Sequence, residues 1–196
     1  DGYRYLDLIV RYDPATGRLR EMARLRTPRI LHSATLLSNG AILIAGGYDG
    51  YEVLRSVEVF EPDPNGDGDL SDARVQPGAP LSYPRAAHGA LRIPGLNRVD
   101  LRVDRGDEIL LVGGLTSVRG LENGDETALL VNAELYEPVR DELGQYDRAS
   151  VSFRDVRAPR RALVEHSLTL LPGKDGDVRG ARVLVFGGRG VDHGPG

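Results

Sequence analysis

The sequence predicts an all-β protein built from short antiparallel strands, and two observations carry this prediction. First, a histidine, an apolar stretch and a Gly-Gly pair recur in the same order at residues 32–47, 88–114 and 166–188. Second, no segment shows the spacing of apolar residues that an amphipathic helix requires. The chain therefore repeats one small unit of strands along its length.

Each copy of the unit predicts four strands. The first strand follows the histidine, and the second ends at the paired glycines. The third strand ends in an aromatic residue, an acid and a proline, as in "LDLIVRYDP" (6–14), "RSVEVFEP" (55–62) and "NAELYEP" (132–138). Alternating Val, Ile and Tyr residues favour strands, and a proline cannot continue a sheet ladder. A weaker fourth strand follows, for example "RLREMARL" (18–25).

Units of four antiparallel strands are typical of the blades of a β-propeller, in which about four to eight blades close a ring. The paired glycines fit this fold because backbones approach one another closely near the centre. We predict the end of one blade at residues 1–26, full blades at 27–84 and 85–158, and the start of another at 159–196. This ring is incomplete. The missing blades would come from a longer polypeptide or from a second copy of the chain.

The combination of "HSATLL", "AILIAGG" and "VEVFEP" resembles the kelch repeat, and "RYDPATGRL" is similar to the kelch turn between the third and fourth strands. The resemblance covers nearly the whole chain and implies a kelch-type propeller, the architecture of the galactose oxidase central domain. The chain departs from the pattern because it has no Trp, with Leu19, Leu70 and Leu143 where kelch repeats often carry one. Galactose oxidase chemistry depends on a cysteine-modified tyrosine at copper. This chain contains no Cys, so it cannot assemble that centre.

The stretch "EPDPNGDGDLSD" (61–72) predicts a structural calcium loop. Its opening matches calcium loops in which oxygens at the first, third and fifth places converge and a glycine at the sixth allows the bend. The predicted ligands are Asp63, Asn65, Asp67, Asp69 and Asp72. The match ends early, because Arg74 stands where a bidentate glutamate is expected. A solvated turn is the alternative, since Asp, Asn and Gly are also common turn residues.

The repeated histidines His32, His88 and His166 occupy the same place in three units. Recurrence predicts a structural role, such as a hydrogen bond from the ring to a neighbouring blade. The arginines of the Pro-Arg pairs, Arg29, Arg85 and Arg160, are interpreted in the same way.

The composition bears on partners and location. The net charge is −4 and no basic stripe is present, which argues against nucleic acid as a partner. No apolar run reaches the roughly 20 residues of a membrane span. We expect a non-catalytic module that binds a protein or glycan through long loops such as residues 48–55. The alternative is part of a propeller enzyme whose catalytic residues lie outside this chain. A calcium loop would favour an extracellular or periplasmic location.

Overall fold

A computed structural model of the protein describes residues 4–93, 108–118, 128–137, 154–156, 162–174 and 180–190. Across these ranges the chain consists of antiparallel strands, which confirms the predicted all-β class. In chain order the strands are β1 (Leu8–Asp13), β2 (Arg18–Arg24), β3 (Ser33–Leu36), β4 (Ile42–Ala45), β5 (Val57–Glu61), β6 (Arg74–Pro77), β7 (Gly89–Ile93), β8 (Glu108–Val112), β9 (Ala133–Tyr136), β10 (Arg154–Val156), β11 (Leu163–Val164), β12 (Ser167–Leu171), β13 (Arg182–Phe186) and β14 (Arg189–Gly190). A short 3-10 helix, Leu70–Asp72, precedes β6. No helix in the described ranges is long and apolar enough to cross a membrane.

The strands group into antiparallel sheets, none of which is closed on itself in the described ranges. Sheet I comprises β1 and β2, sheet II comprises β3 to β6, sheet III comprises β7 to β10, and sheet IV comprises β12 and β13. A short ladder of β11 and β14 lies beside them. In sheets II and III each strand pairs with the next strand along the chain. Each four-stranded sheet is therefore one repeat of the sequence unit.

Sheets II and III share one pairing register. The residue before the Gly-Gly pair in the second strand lies opposite the first residue of the third strand. Ala45 pairs with Val57, and Val112 pairs with Ala133. Because side chains alternate between faces, a slip of one residue would move every side chain of the strand to the opposite face. The repeated sequence pattern thus fixes the same pairing in each unit.

The hydrophobic core lies between successive sheets. The cluster between sheets II and III includes Leu43, Val59, Ile109 and Leu111. The cluster between sheets I and II includes Leu25, Ile44 and Phe60. Sheet II is thus covered on both faces, and all five residues of β5 are buried. The first strands β3, β7 and β12 are neighbours, so the sheets follow one another around these strands.

The Gly-Gly pairs mark the points where successive units meet. Their glycines, Gly46, Gly47, Gly113, Gly114, Gly187 and Gly188, all have positive φ. A Cβ on Gly46 would lie 2.2 Å from the carbonyl oxygen of Arg85, and a Cβ on Gly113 would lie 2.3 Å from that of Leu163. No side chain fits at these distances. The close backbone approach expected from the sequence is therefore present at both junctions.

Candidate functional site

A buried arginine–glutamate pair lies at the same place in sheets II and III. Arg29 Nη2 is 2.6 Å from Glu58 Oε1, and Arg85 Nη2 is 2.7 Å from Glu134 Oε1. These four side chains are at most 3% exposed. Each arginine precedes the first strand of its unit and each glutamate lies on the third strand. The pair therefore joins the start of a unit to its third strand.

Backbone groups complete the hydrogen bonding of the first pair. Arg29 Nη1 donates to the carbonyl of Gly46 at 2.8 Å, which anchors the start of the Gly-Gly pair. Glu58 accepts hydrogen bonds from the backbone N–H of Arg26 at 2.7 Å and of Thr27 at 3.2 Å. Burial lowers the pKa of Arg29, and the facing Glu58 opposes this effect. Buried charges are tolerated only when paired and hydrogen-bonded, and this pair meets both conditions.

The second pair repeats these contacts one unit later. Arg85 Nη1 donates to the carbonyl of Gly113 at 2.7 Å, as Arg29 does to Gly46. Glu134 accepts from the backbone N–H of Ser82 at 3.1 Å. Each ion pair therefore binds the first glycine of a Gly-Gly pair and the backbone that leads into the unit. These four charged side chains stabilise the fold.

The repeated histidines lie at the junctions between units. His88 Nε2 is 2.9 Å from Ser33 Oγ of the preceding sheet, a bond whose donor depends on the ring tautomer. Burial, followed by the nearby Arg85 charge, lowers the pKa of His88 to about 3. The ring is therefore neutral at pH 7. This contact is of the kind that the sequence predicted for the repeated histidines.

His166 takes the corresponding place at the next junction. A Cβ on Gly89 would lie 2.7 Å from His166 Nε2, so this ring packs on glycine where His88 meets Ser33. Within the described ranges neither ring nitrogen of His166 has a hydrogen-bond partner. Burial lowers its pKa as well.

The residue before each of these histidines has a left-handed backbone. Leu31, Ala87 and Glu165 have φ values of 56°, 53° and 58°. The N–H of Ala87 donates to the carbonyl of Leu31, and the N–H of Glu165 donates to that of Ala87, both at 2.9 Å. A left-handed residue other than glycine costs roughly 1–2 kcal/mol. Leu, Ala and Glu have no common preference for this backbone, so their residue types do not predict these contacts; only their fixed position before the repeated histidine could have indicated them.

The third unit differs from the other two at the arginine position. Arg29 and Arg85 lie three residues before the repeated histidine, and Leu163 occupies that place in the third unit. The carbonyl of Leu163 accepts from the N–H of Gly114 at 2.8 Å, as the carbonyl of Arg85 accepts from that of Gly47 at 2.9 Å. Arg160, for which the sequence predicted the same role, lies outside the described residues. Leu163 retains the backbone contact without the charge.

The acidic loop, residues 63–72, is shaped by its own carboxylates. Asp63 accepts hydrogen bonds from the backbone N–H of Gly66, Asp67 and Gly68, at 2.7, 3.2 and 2.9 Å. Asp69 accepts from both the N–H and the hydroxyl of Ser71 at 2.8 Å, and the hydrogen bond from the Ser71 N–H contributes most to the lowered pKa of Asp69. The Asp69–Ser71 contact is an Asx turn, and the Asp63 carboxylate binds three successive backbone N–H groups of the loop.

The remaining predicted calcium ligands belong to the same network. Asn65 Nδ2 donates to Asp67 at 3.3 Å, and Asp67 accepts from the N–H of Asp69 at 2.8 Å. Asp72 lies on the 3-10 helix with one carboxylate oxygen buried and without a hydrogen-bond partner in the described ranges. Across those ranges no three acidic or histidine side chains converge closely enough to hold a metal. The calcium site stays a prediction from the sequence.

The loop between β4 and β5 carries an exposed aromatic side chain. Tyr51 is 95% exposed. Asp49 Oδ1 accepts hydrogen bonds from the N–H of Tyr51 and of Glu52, both at 2.8 Å. The N–H of Glu52 makes the largest contribution to the lowered pKa of Asp49. The turn around Tyr51 is thus held by one carboxylate.

Two further tyrosines, Tyr48 and Tyr5, contact this turn at Gly50. Tyr48 donates its hydroxyl to the carbonyl of Gly50 at 2.8 Å. Gly50 has φ of +103°, and a Cβ there would lie 2.6 Å from the ring of Tyr5. Tyr5 and Tyr48 pack edge to face with ring centroids 5.7 Å apart. The sequence identified the loop, but not the packing of the distant Tyr5 against Gly50 and Tyr48.

Comparison with known proteins bears on the fold alone. No family model and no curated protein matches the chain. Among solved structures, the chain is similar to a fungal alcohol oxidase of the AA5 family in complex with copper, with a TM-score of 0.53 and 19% sequence identity. The match covers 86% of this chain and 31% of the oxidase chain. At this identity the similarity supports the all-β fold and does not extend to chemistry.

The described residues do not fit a copper centre of that kind. The chain contains no Cys. His88 and His166 lie at different junctions, each packed against a glycine, and no three acidic or histidine side chains within the described ranges converge on a metal position.

Proposed function

We propose that this chain is part of a kelch-type β-propeller, an incomplete ring, and acts as a non-catalytic module that binds a protein or glycan through its loops. The observation that carries the binding role is Tyr51, which is almost fully exposed on a turn held by Asp49. An exposed aromatic ring on a fixed loop offers a large contact area and loses little conformational entropy when it binds.

Repetition of the packing supports the propeller assignment. Sheets II and III have the same strand order, the same register and the same buried arginine–glutamate pair. Their first strands are neighbours, and successive sheets pack face to face. This arrangement is the one expected of consecutive propeller blades.

The uses of the buried polar groups favour a non-catalytic role. Arg29 and Arg85 donate to backbone carbonyls of their own units, and Glu58 and Glu134 accept from backbone N–H groups at the end of the preceding units. His88 lies within hydrogen-bond distance of Ser33. Side chains that make these contacts stabilise the fold. The loops are then the places left for recognition.

The test screens the chain against a glycan microarray and a displayed peptide library. For any ligand found, we expect Tyr51→Ala to weaken binding at least about tenfold, because truncating an aromatic anchor typically costs over 1–2 kcal/mol. Tyr51→Phe keeps the ring and serves as the matched control. Asp49→Ala keeps the ring but releases the turn, and should give an intermediate loss. Unchanged binding by Tyr51→Ala would remove this loop from the proposal.

The second candidate is part of a propeller enzyme whose catalytic residues lie outside this chain. Its motivation is that an alcohol oxidase has a similar fold over 31% of its own chain. Alcohol oxidation, with copper supplied, separates the two candidates. Oxidation by a longer chain that contains this one would support the enzyme, whereas oxidation by this chain alone would overturn the non-catalytic proposal.

Calcium is a further part of the proposal that rests on the sequence. A cation bound by Asp63, Asn65, Asp67, Asp69 and Asp72 would stiffen the turn between β5 and β6. A weak site of this type fits an extracellular or periplasmic location, where calcium is abundant.

A further inference from the structure

The dipeptide Asn-Gly occurs at residues 39–40 and 65–66 of the described ranges, and a further copy at 123–124 lies outside them. An asparagine amide is most readily lost before glycine, because glycine has no Cβ to hinder attack by its own backbone nitrogen. We propose that Asn65 is a site of spontaneous deamidation, whereas Asn39 is protected by the turn in which it lies. The modification places a new carboxylate inside the acidic loop.

The reaction uses only groups of the loop and water. The backbone nitrogen of Gly66 loses its proton to solvent base and attacks Cγ of Asn65, which forms a succinimide ring. The Cγ–Nδ2 bond breaks, and the departing nitrogen takes a proton from water and leaves as ammonia. Water then opens the ring to aspartate, or to isoaspartate if the other carbonyl is attacked. The attack is intramolecular, so the two reacting groups are always close together.

The surroundings of Asn65 offer little resistance to ring closure. Asn65 and Gly66 are both exposed. Within the described ranges the Asn65 side chain makes one hydrogen bond, from Nδ2 to Asp67 at 3.3 Å. Gly66 has φ of 73°, and nothing lies within 4 Å of the place where its Cβ would stand. No packing therefore opposes the approach of the Gly66 nitrogen to Cγ of Asn65.

The same dipeptide is held more firmly in the turn between β3 and β4. Asn39 Oδ1 accepts a hydrogen bond from the N–H of Ala41 at 3.1 Å, and the N–H of Gly40 donates to the carbonyl of Leu37 at 3.1 Å. The N–H of Leu37 donates to the carbonyl of Ala41 at 2.8 Å, and the paired strands follow directly. Ring closure must rotate the Asn–Gly peptide, so in this turn it breaks main-chain hydrogen bonds of a hairpin.

A single side chain restrains the peptide between Asn65 and Gly66. Asp63 Oδ1 accepts hydrogen bonds from the N–H of Gly66 at 2.7 Å and of Asp67 at 3.2 Å. These bonds fix the backbone, and the negative charge of Asp63 disfavours loss of the Gly66 proton, which is the first step. Asp63 therefore slows the reaction without preventing it. Its removal should accelerate deamidation of Asn65 and leave Asn39 unaffected.

The product changes the electrostatics of the loop. Asn65 Nδ2 donates to Asp67 Oδ2 at 3.3 Å, and deamidation replaces this donor with a carboxylate oxygen. Two ionised carboxylates in such close contact repel each other. A bound cation relieves this repulsion, so the modified loop depends more on calcium than the unmodified loop does. This consequence, unlike the modification itself, rests on the calcium part of the proposed function.

Peptide mapping by mass spectrometry tests the modification. During incubation at mildly alkaline pH, we expect Asn65 to convert at least about tenfold faster than Asn39, because the hairpin bonds raise the barrier at Asn39. Asp63→Ala should increase the rate at Asn65 only. Asn65→Gln is the matched control; it keeps the amide but would require a larger ring, and should show no conversion at this position. Equal rates at Asn39 and Asn65, or an intact Asn65 in both the unmodified and the Asp63→Ala chains, would overturn the proposal.

Melting temperatures measured with and without calcium test the consequence for the loop. Asn65→Asp reproduces the aspartate product, and Asn65→Gln keeps a neutral amide. We expect calcium to raise the melting temperature of Asn65→Asp more than that of Asn65→Gln. Equal rises would overturn the predicted dependence on calcium. Conversion at Asn65 without a calcium effect in either variant would remove calcium from the proposed function and leave the modification standing, so the two failures are distinguishable.

Discussion

Strands β5 and β1 share a sequence pattern but lie in different environments. Each ends in an aromatic residue, an acid and a proline. All five residues of β5 are buried because sheet II has a neighbour on both faces. β1 is largely exposed, since sheet I packs in the described structure on sheet II alone. The strand pattern therefore selects the pairing, and the neighbouring units supply the burial, as in other repeat proteins.

The largest predicted effect contrasts a buried ion pair of sheet II with an exposed pair near the end of the chain. Glu58→Gln leaves Arg29 buried without its counter-charge, and we expect the free energy of unfolding to fall by about 3–5 kcal/mol. Glu165→Gln removes the pair with Arg189, whose side chains are 46% and 61% exposed, and should cost less than about 1 kcal/mol. Urea unfolding measures both. Equal losses would mean that the buried pair does not hold the unit together.

The fold was more predictable than these contacts. Alternating strands and Gly-Gly pairs follow from local sequence, so the strand positions and the reason for glycine could be predicted. The ion pair between Arg29 and Glu58 could not be predicted, because the two residues are distant in the sequence and only the pairing of the strands brings them together. When the units are aligned at their Pro-Arg pairs, Arg160 corresponds to Arg85. When they are aligned at the repeated histidine, Leu163 corresponds to Arg85 instead.

The left-handed residues show a second limit of sequence reasoning. Leu31, Ala87 and Glu165 have side chains that ordinarily avoid positive φ. Their conformation is imposed by hydrogen bonds between units, which form only after the sheets have packed. The turn that carries Tyr51 is similar, since its Gly50 lies against the ring of Tyr5, which is distant in the sequence and precedes β1.

A smaller effect is expected when the pH is lowered. It contrasts His88, which is buried between sheets II and III, with His32, which is exposed. His88 has a folded pKa of about 3, below its ordinary value of 6.5, so the unfolded state binds the proton more readily. The stability associated with His88 is therefore present above pH 6.5 and is lost as the pH falls towards 3. Between pH 6.5 and 5 this loss is about 2 kcal/mol.

The His88 effect is checked by unfolding at several pH values. His88→Gln should lower stability at pH 7 but make the curve between pH 6.5 and 5 flatter than in the unmodified protein. His32→Gln is the comparison: burial and then the nearby Arg29 charge also lower the pKa of His32, but His32 is exposed whereas His88 is buried, so His32→Gln should change the slope less. If both variants retain the original slope, titration of buried carboxylates explains the acid sensitivity.

The smallest predicted effect compares the two turns that follow β1 and β5. In sheet I, Asp13 accepts hydrogen bonds from the N–H of Ala15 and the hydroxyl of Thr16, which closes a short turn. The turn in sheet II is longer and carries the predicted calcium ligands. Calcium at about ten times its dissociation constant should raise the melting temperature by about 3–5 °C. Asp63→Ala with Asp67→Ala should abolish this rise, and Asp13→Ala should leave it intact. If calorimetric titration with calcium gives no heat and the melting temperature does not move, the longer turn is held by its Asx hydrogen bonds alone, and the two turns differ only in length.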